Sequence, residues 1–201
     1  MNRIVSRVFL LGIVPLAAVA LGACSDTGDT GMPGMNHGTT SSASAPASGT
    51  ANAADVEFAQ MMIVHHRQAV EMATLAETRA NDAEVKTLAA QIKGAQQPEI
   101  DKMTGWLTAW GRPTAAPMGH DMQSMPGLMS DDEMKQLAAA RGTAFDKKFA
   151  QLMIAHHQGA IEMANGVLAN GADPQVKALA QAIVSAQTTE VAQLQKIVGR
   201  L

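Results

Sequence analysis

The chain has 201 residues, a formal net charge of −3 at pH 7, and only 3% aromatic residues. This length suits one medium domain with appendages, and the mildly acidic balance argues against a nucleic-acid-binding protein. The single cysteine excludes an intramolecular disulfide and a zinc site built from cysteines. Methionine occurs 14 times, although it specifies a packed core poorly. This excess of thioethers therefore calls for an explanation other than packing.

The first 23 residues have the pattern of a bacterial lipoprotein signal peptide. Arg3 and Arg7 precede an apolar run that is too short for an ordinary transmembrane span. The run ends in Leu-Gly-Ala-Cys, which resembles a lipobox, so Cys24 is predicted to carry the lipid. The alternative is an ordinary secretory signal with an incidental cysteine. Either way we expect an exported protein, and the lipobox predicts anchoring to the membrane or envelope, facing the periplasm or the cell exterior.

Residues 24–54 are rich in Gly, Ser, Thr and Ala. Such a composition cannot bury enough apolar surface to fold, so this segment is predicted to be a disordered tether between lipid and domain.

Residues 55–201 are predicted to form an all-α four-helix bundle, because residues 55–107 align without a gap with residues 146–198. Each repeat predicts an αα-hairpin, and strand patterns are absent. A capping box at Asn81 and Glu84 is predicted to open the second helix. The Met-rich connection between the repeats, 111–142, is long enough to run the length of the bundle. The sequence therefore leaves open whether the first helices of the two repeats run parallel or antiparallel. The predicted helices cover residues 55–79, 82–110, 143–169 and 174–198, with a short one beginning near residue 131.

Each repeat carries adjacent histidines within a helix. At about 100° per residue, His65 lies in the middle of an apolar stripe and His66 at its edge. His156 and His157 repeat this arrangement. The stripe around His65 contains Phe58, Met61, Met62, Ala69, Met72 and Ala76, and the stripe around His156 contains Phe149, Leu152, Met153, Ala160 and Met163.

A lone histidine on such a stripe is usually an ordinary core residue held by hydrogen bonds. Here two equivalent histidines each have a thioether one turn before and another two turns after, while the stripe offers few polar partners. Imidazole and thioether together favour Cu(I) and related soft ions. The predicted metal ligands are Met62, His65, His66, Met72, Met153, His156, His157 and Met163.

The remaining two histidines also lie among methionines, in Gly/Pro-rich segments without a helical face to bury. Such clusters would suit weak, exchangeable capture of copper, although random drift in a tether is the alternative. The predicted secondary ligands are Met32, Met35, His37, Met118, His120, Met122, Met125 and Met129.

Other metal centres explain the pattern less well. A di-iron bundle requires Glu-x-x-His with bridging glutamates, whereas Glu71 and Glu162 follow their histidines and are predicted to be solvated or to support the ligands indirectly. A zinc site made of histidines alone would leave the methionines unexplained. A haem held by His and Met is chemically reasonable, but no attachment motif is present and few aromatics flank the stripe.

The motifs "FAQMMIVHHRQAVEMA" and "FAQLMIAHHQGAIEMA", with "PGLMSDDEMKQL" before the second, resemble the bacterial family called domain of unknown function 305. The resemblance implies an exported, ferritin-like four-helix bundle, and some members are periplasmic copper-binding proteins linked to copper tolerance. The positions that the resemblance matches are Met62, His65, His66 and Met72 in the first copy and Met153, His156, His157 and Met163 in the second. Leu152 departs from it, because the first copy has Met61 there.

The sequence therefore predicts an extracytoplasmic protein that sequesters Cu(I) or acts as a metallochaperone, with envelope copper-handling proteins as potential partners. No nucleophile or acid–base constellation indicates an enzyme. Two alternatives stay open: a metal- or haem-dependent oxidoreductase, and a metal-free envelope interaction module.

Overall fold

The computed structural model describes residues 51–115 and 125–201. The predicted signal peptide, Cys24 and most of the tether lie outside this part of the chain, as do Met32, Met35, His37, Met118, His120 and Met122. These residues form five helices: α1 (Ala53–Arg79), α2 (Ala83–Ala109), α3 (Asp131–Ala139), α4 (Gly142–Asn170) and α5 (Pro174–Arg200). The predicted all-α fold is confirmed, and the boundaries of the four long helices agree with the predicted ones to within two residues. Within residues 51–115 and 125–201, no helix is long and apolar enough to cross a membrane.

The helix starts follow from local capping chemistry, with one correction. The side chain of Asp82 accepts hydrogen bonds from the backbone N–H groups of Glu84 and Val85, so Asp82 caps α2. The capping box predicted at Asn81 is therefore wrong, because the Asn81 N–H is itself bound by Asp146. The equivalent residue in the second repeat, Asp173, caps α5 in the same way, and Pro174 follows it in the first turn of the helix.

Two buried aspartates fix how the repeats are arranged. Asp55, near the start of α1, accepts hydrogen bonds from the N–H groups of Ala172 and Asp173 at 2.9 and 3.1 Å. Asp146, near the start of α4, accepts from Asn81 and Asp82. Each repeat thus binds the interhelical turn of the other, which makes α1 and α4 antiparallel and relates the repeats by a pseudo-twofold axis. Helix α2 packs on α1, and α5 packs on α4.

The interior consists of two apolar clusters separated by a polar layer. The α1–α2 turn cluster joins the last turns of α1 to the first turns of α4 and includes Leu137 of α3. The α4–α5 turn cluster joins the opposite ends of the same helices, around Phe58 and Val167. Between them lie the polar residues that we call the histidine layer. They are the buried His65, His66, His156 and His157, the buried amides of Gln96 and Gln187, and the partly exposed carboxylates of Glu99 and Glu190.

Candidate metal centre

The centre of the layer is formed by one histidine from each repeat. His65 of α1 and His156 of α4 are fully buried, and their ring centroids are 3.7 Å apart with the planes inclined by 39°. The two residues meet because they occupy equivalent positions and the pseudo-twofold axis passes near them. Sequence reasoning placed both histidines in the core, and the structure shows that their rings are in contact.

Burial keeps these two imidazoles neutral. Desolvation, reinforced by the neighbouring His66, lowers the pKa of His65 from 6.5 to about 3. Desolvation, reinforced by His65, also lowers the pKa of His156 well below its ordinary value. The neutral imidazole is the form that offers a lone pair to a metal ion.

The second histidine of each pair is as deeply buried as the first, which corrects the predicted edge position of His66. His66 Nε2 lies 2.7 Å from Glu99 Oε2, and His157 Nε2 lies 2.7 Å from Glu190 Oε2. These carboxylates belong to α2 and α5, so a helical wheel of α1 or α4 could not reveal them. The repeat alignment places Glu99 and Glu190 at equivalent positions, and that was the signal available in the sequence. Glu71 and Glu162 are exposed.

Three of the four histidine rings make their hydrogen bond through Nε2. His65 Nε2 donates to the carbonyl oxygen of Pro126 at 3.2 Å, and the Nε2 atoms of His66 and His157 face carboxylates. Because a carbonyl only accepts, Nε2 of neutral His65 carries the proton and Nδ1 keeps its lone pair. A histidine that donates one N–H to a carboxylate or carbonyl while its other nitrogen is free is the usual state of a metal ligand.

Unpaired polar atoms are concentrated in this layer. Of the nine buried side-chain nitrogen and oxygen atoms without a hydrogen-bond partner in the described residues, eight belong to the four histidines, Gln96 and Gln187. Each such atom costs about 1–3 kcal/mol when nothing satisfies it. Their concentration in one layer therefore indicates a site that receives a polar or metallic ligand.

A segment that we call the strap, residues 125–129, lies across the layer. Gln68 holds it by two hydrogen bonds, one to the Met129 carbonyl at 2.8 Å and one from the Met129 N–H at 2.7 Å. At the equivalent position of the second repeat stands Gly159, where an added Cβ would come 2.0 Å from the Pro126 oxygen. Gly127 has a φ of +72° and packs on the backbone of α4. One repeat thus grips the strap with a side chain, and the other makes room for it.

The predicted methionine ligands occupy different environments. Met62, Met72 and Met153 are fully buried in the apolar clusters beside the layer. Met163 is only partly buried and lines a surface pocket. In the strap, Met125 and Met129 are 5% and 7% exposed. The argument that loop methionines have nothing to pack against is therefore wrong for these two, since the strap buries them against the bundle.

The donors are not arranged as a closed cage. Within residues 51–115 and 125–201, no group of three or more His, Cys, Asp or Glu converges to hold a metal ion. Two imidazoles bound to one ion at about 2 Å would have ring centroids roughly 5 Å apart. The rings of His65 and His156, whose centroids are 3.7 Å apart, must therefore separate by more than an ångström before both can share one ion. Imidazole and thioether together remain a donor set suited to a soft ion.

The fold and the site define a class of protein: an antiparallel four-helix bundle, duplicated from an αα-hairpin, with a buried histidine layer at its pseudo-twofold axis. A model of the family DUF305, a domain of unknown function, matches residues 55–198. The chain therefore belongs to the DUF305 family, as the histidine motifs predicted.

Solved structures of the family are similar to this chain. A DUF305 fragment from Deinococcus radiodurans is 33% identical, with a TM-score of 0.69 over 75% of this chain and 99% of its own. A protein from Streptomyces coelicolor, described as a candidate secreted DUF305 protein, is 34% identical, with a TM-score of 0.67 over 73% and 91%.

CopM, whose solved forms include copper-bound ones, is also similar. Its Cu(II)-bound form is 33% identical, with a TM-score of 0.63 over 73% of this chain and 96% of its own. Its Cu(I)-bound form is 34% identical, with a TM-score of 0.60 over 71% and 93%. A comparison with curated proteins finds no match.

Substituting Gly159 by alanine should displace the strap, because the new methyl group would collide with the backbone of Pro126. We expect Gly159→Ala to lower the melting temperature and to speed the reaction of the buried histidines with diethyl pyrocarbonate. Gly166→Ala is the matched control, since it lies in the same helix with open space around it and should stabilise by up to about 1 kcal/mol. Equal melting temperatures and reaction rates in the two variants would contradict this role of Gly159.

The free energy of unfolding should depend on pH through His65 and His156. Their pKa values are lower in the folded protein than in the unfolded chain, so below about pH 6.5 the unfolded state binds more protons. The free energy of unfolding therefore has its full value, as far as these two groups are concerned, above pH 6.5. It falls as the pH is lowered towards 3, by up to about 1.4 kcal/mol per pH unit for each group. Urea unfolding between pH 7 and 5 should show this slope. A double variant, His65→Gln/His156→Gln, should show a clearly shallower one.

Proposed function

We propose that this protein is an exported copper-binding protein that holds Cu(I) in the histidine layer, either to sequester it or to pass it on. The observation that carries the proposal is the set of four deeply buried imidazoles whose Nδ1 atoms have no partner among the described residues. Burial keeps two of them, His65 and His156, neutral by lowering their pKa values. Buried thioethers on both sides add soft donors. The similarity to copper-bound forms of CopM supports copper as the ion.

In this proposal copper is the cargo of the protein. His65 and His156 supply the central nitrogens, and His66 and His157 supply nitrogens at either side. Glu99 and Glu190 accept from the outer rings at 2.7 Å, which fixes ring orientation and raises the basicity of the free nitrogen. The predicted thioether donors that are fully buried are Met62, Met72 and Met153.

Binding accounts for the titratable groups in the layer, since the four histidines are ligand candidates and Glu99 and Glu190 are hydrogen-bond partners of two of them. The Arg-containing apolar leader and the lipobox ending at Cys24 support export with a lipid anchor. A partner that delivers or receives copper in the cell envelope follows from the metallochaperone role.

Removing the two central imidazoles should abolish the tight site. In a competition titration of the purified protein with a chromophoric Cu(I) chelator, we expect His65→Ala/His156→Ala to weaken the tightest binding at least a hundredfold. Leu107→Ala is the matched control: Leu107 is also fully buried, but it lies in the α4–α5 turn cluster and offers no donor atom. The proposal is wrong if the wild type takes up no Cu(I) or if the double variant binds it as tightly as the wild type.

The two carboxylates should tune the affinity without supplying ligands. We expect Glu99→Gln/Glu190→Gln to keep the copper stoichiometry but to weaken the affinity by roughly ten- to a hundredfold, because an amide is a poorer acceptor for the imidazole N–H. The control is Glu71→Gln/Glu162→Gln, which removes the same charge from exposed positions on the histidine helices. Identical affinities for the two double variants would show that the carboxylates only hold the fold.

A further inference from the structure

Two methionines outside the histidine layer come together at the surface. Met61 of α1 and Met163 of α4 line one pocket of about 240 Å³, together with Phe58 and Glu57. Both methionines are partly buried, so their side chains are accessible from the pocket. The antiparallel packing of α1 and α4 places them side by side, because Met61 precedes His65 by one turn and Met163 follows His156 by two.

The pseudo-twofold axis relates this pair to a second pair that differs in chemistry. The repeat alignment places Leu152 opposite Met61 and Met72 opposite Met163. Met72 is fully buried in the α1–α2 turn cluster, and Leu152 packs against the same cluster. The symmetry mate of the surface pair therefore contains one thioether instead of two.

The two pairs also differ in what covers them. Helix α3 contributes Leu137 and Met134 to the cluster that holds Met72 and Leu152. The α4–α5 turn cluster, beside which Met61 and Met163 lie, contains no residue of α3. Within the described residues, both members of the Met61–Met163 pair are partly exposed, whereas in the other pair Leu152 is partly exposed and its methionine, Met72, is fully buried.

Apolar packing does not require this choice. At the equivalent position of the second repeat, Leu152 packs against its apolar cluster without a sulfur atom. A leucine at position 61 could therefore pack beside Phe58 equally well, so packing does not explain the methionine. Two thioethers facing one pocket form a soft, neutral donor pair, which prefers Cu(I) or Ag(I) to harder cations. The carboxylate of Glu57 at the same pocket adds negative charge next to a monovalent cation.

We propose that Met61 and Met163 form a solvent-accessible binding site for a soft monovalent cation, Cu(I) or Ag(I), separate from the histidine layer. The site goes beyond the proposed function of the layer, since it uses no histidine, lies at the surface, and pairs Met163, predicted from the sequence as a ligand of the histidine site, with Met61. It binds through two sulfur atoms, so it is weaker and exchanges faster than a site with several buried nitrogens.

The test is a titration of the purified protein with Ag(I), which resembles Cu(I) but does not change oxidation state. With methionine labelled at its methyl carbon, NMR reports each thioether separately. We expect the Met61 and Met163 methyl signals to shift together along one saturating curve. Met61→Leu should weaken the response of Met163 at least tenfold, whereas Met134→Leu, a partly buried methionine elsewhere, should leave it unchanged. Leucine conserves the volume of methionine, so both variants should stay folded.

The variant His65→Ala/His156→Ala separates this site from the layer. We expect the Met61 and Met163 signals to keep their Ag(I) response in that variant, whether or not the wild-type layer binds copper. The proposal is overturned if neither signal moves when Ag(I) is in excess, if Met163 responds equally in Met61→Leu, or if the response disappears with the two histidines.

Discussion

The structure depends on the cost of burying four imidazoles in the middle of a small bundle. Eight unpaired polar atoms at about 1–3 kcal/mol each would cost roughly as much as the whole stability of an ordinary domain, about 5–15 kcal/mol. A layer of this kind is retained only if something satisfies those atoms, and the two apolar clusters on either side must hold the helices together meanwhile. The layer therefore points to ligand binding more directly than any single residue does.

Duplication explains both the symmetry of the layer and its limits. An antiparallel pair of equivalent hairpins brings equivalent residues together at the axis, so one histidine becomes a pair of contacting rings and one His–Glu contact becomes two. A single strap crossing that axis cannot be symmetric. The repeats diverge accordingly at the equivalent positions 68 and 159, where Gln68 binds the strap and Gly159 admits its backbone.

The sequence predicted whatever depends on one helix at a time. The helices, the bundle and the core position of His65 follow from periodicity and from the repeat. The burial of His66 does not, because its partner Glu99 comes from a neighbouring helix and a wheel of α1 contains no information about α2. The packing of Met125 and Met129 and the antiparallel direction of α1 and α4 likewise depend on contacts between distant segments.

The two candidate sites differ in the property that matters most for handling copper, which is how readily the ion can leave. An ion at the proposed site in the histidine layer would be surrounded by fully buried imidazoles, and its release would require the contacting rings and the strap to move, so we expect slow dissociation. An ion held by Met61 and Met163 faces solvent and can pass to another thioether ligand without any movement of the helices. A protein that only stored copper would need the first kind of site, and a protein that only relayed it would need the second. The two proposed sites together would suit a protein that takes up the ion at the surface and retains it inside.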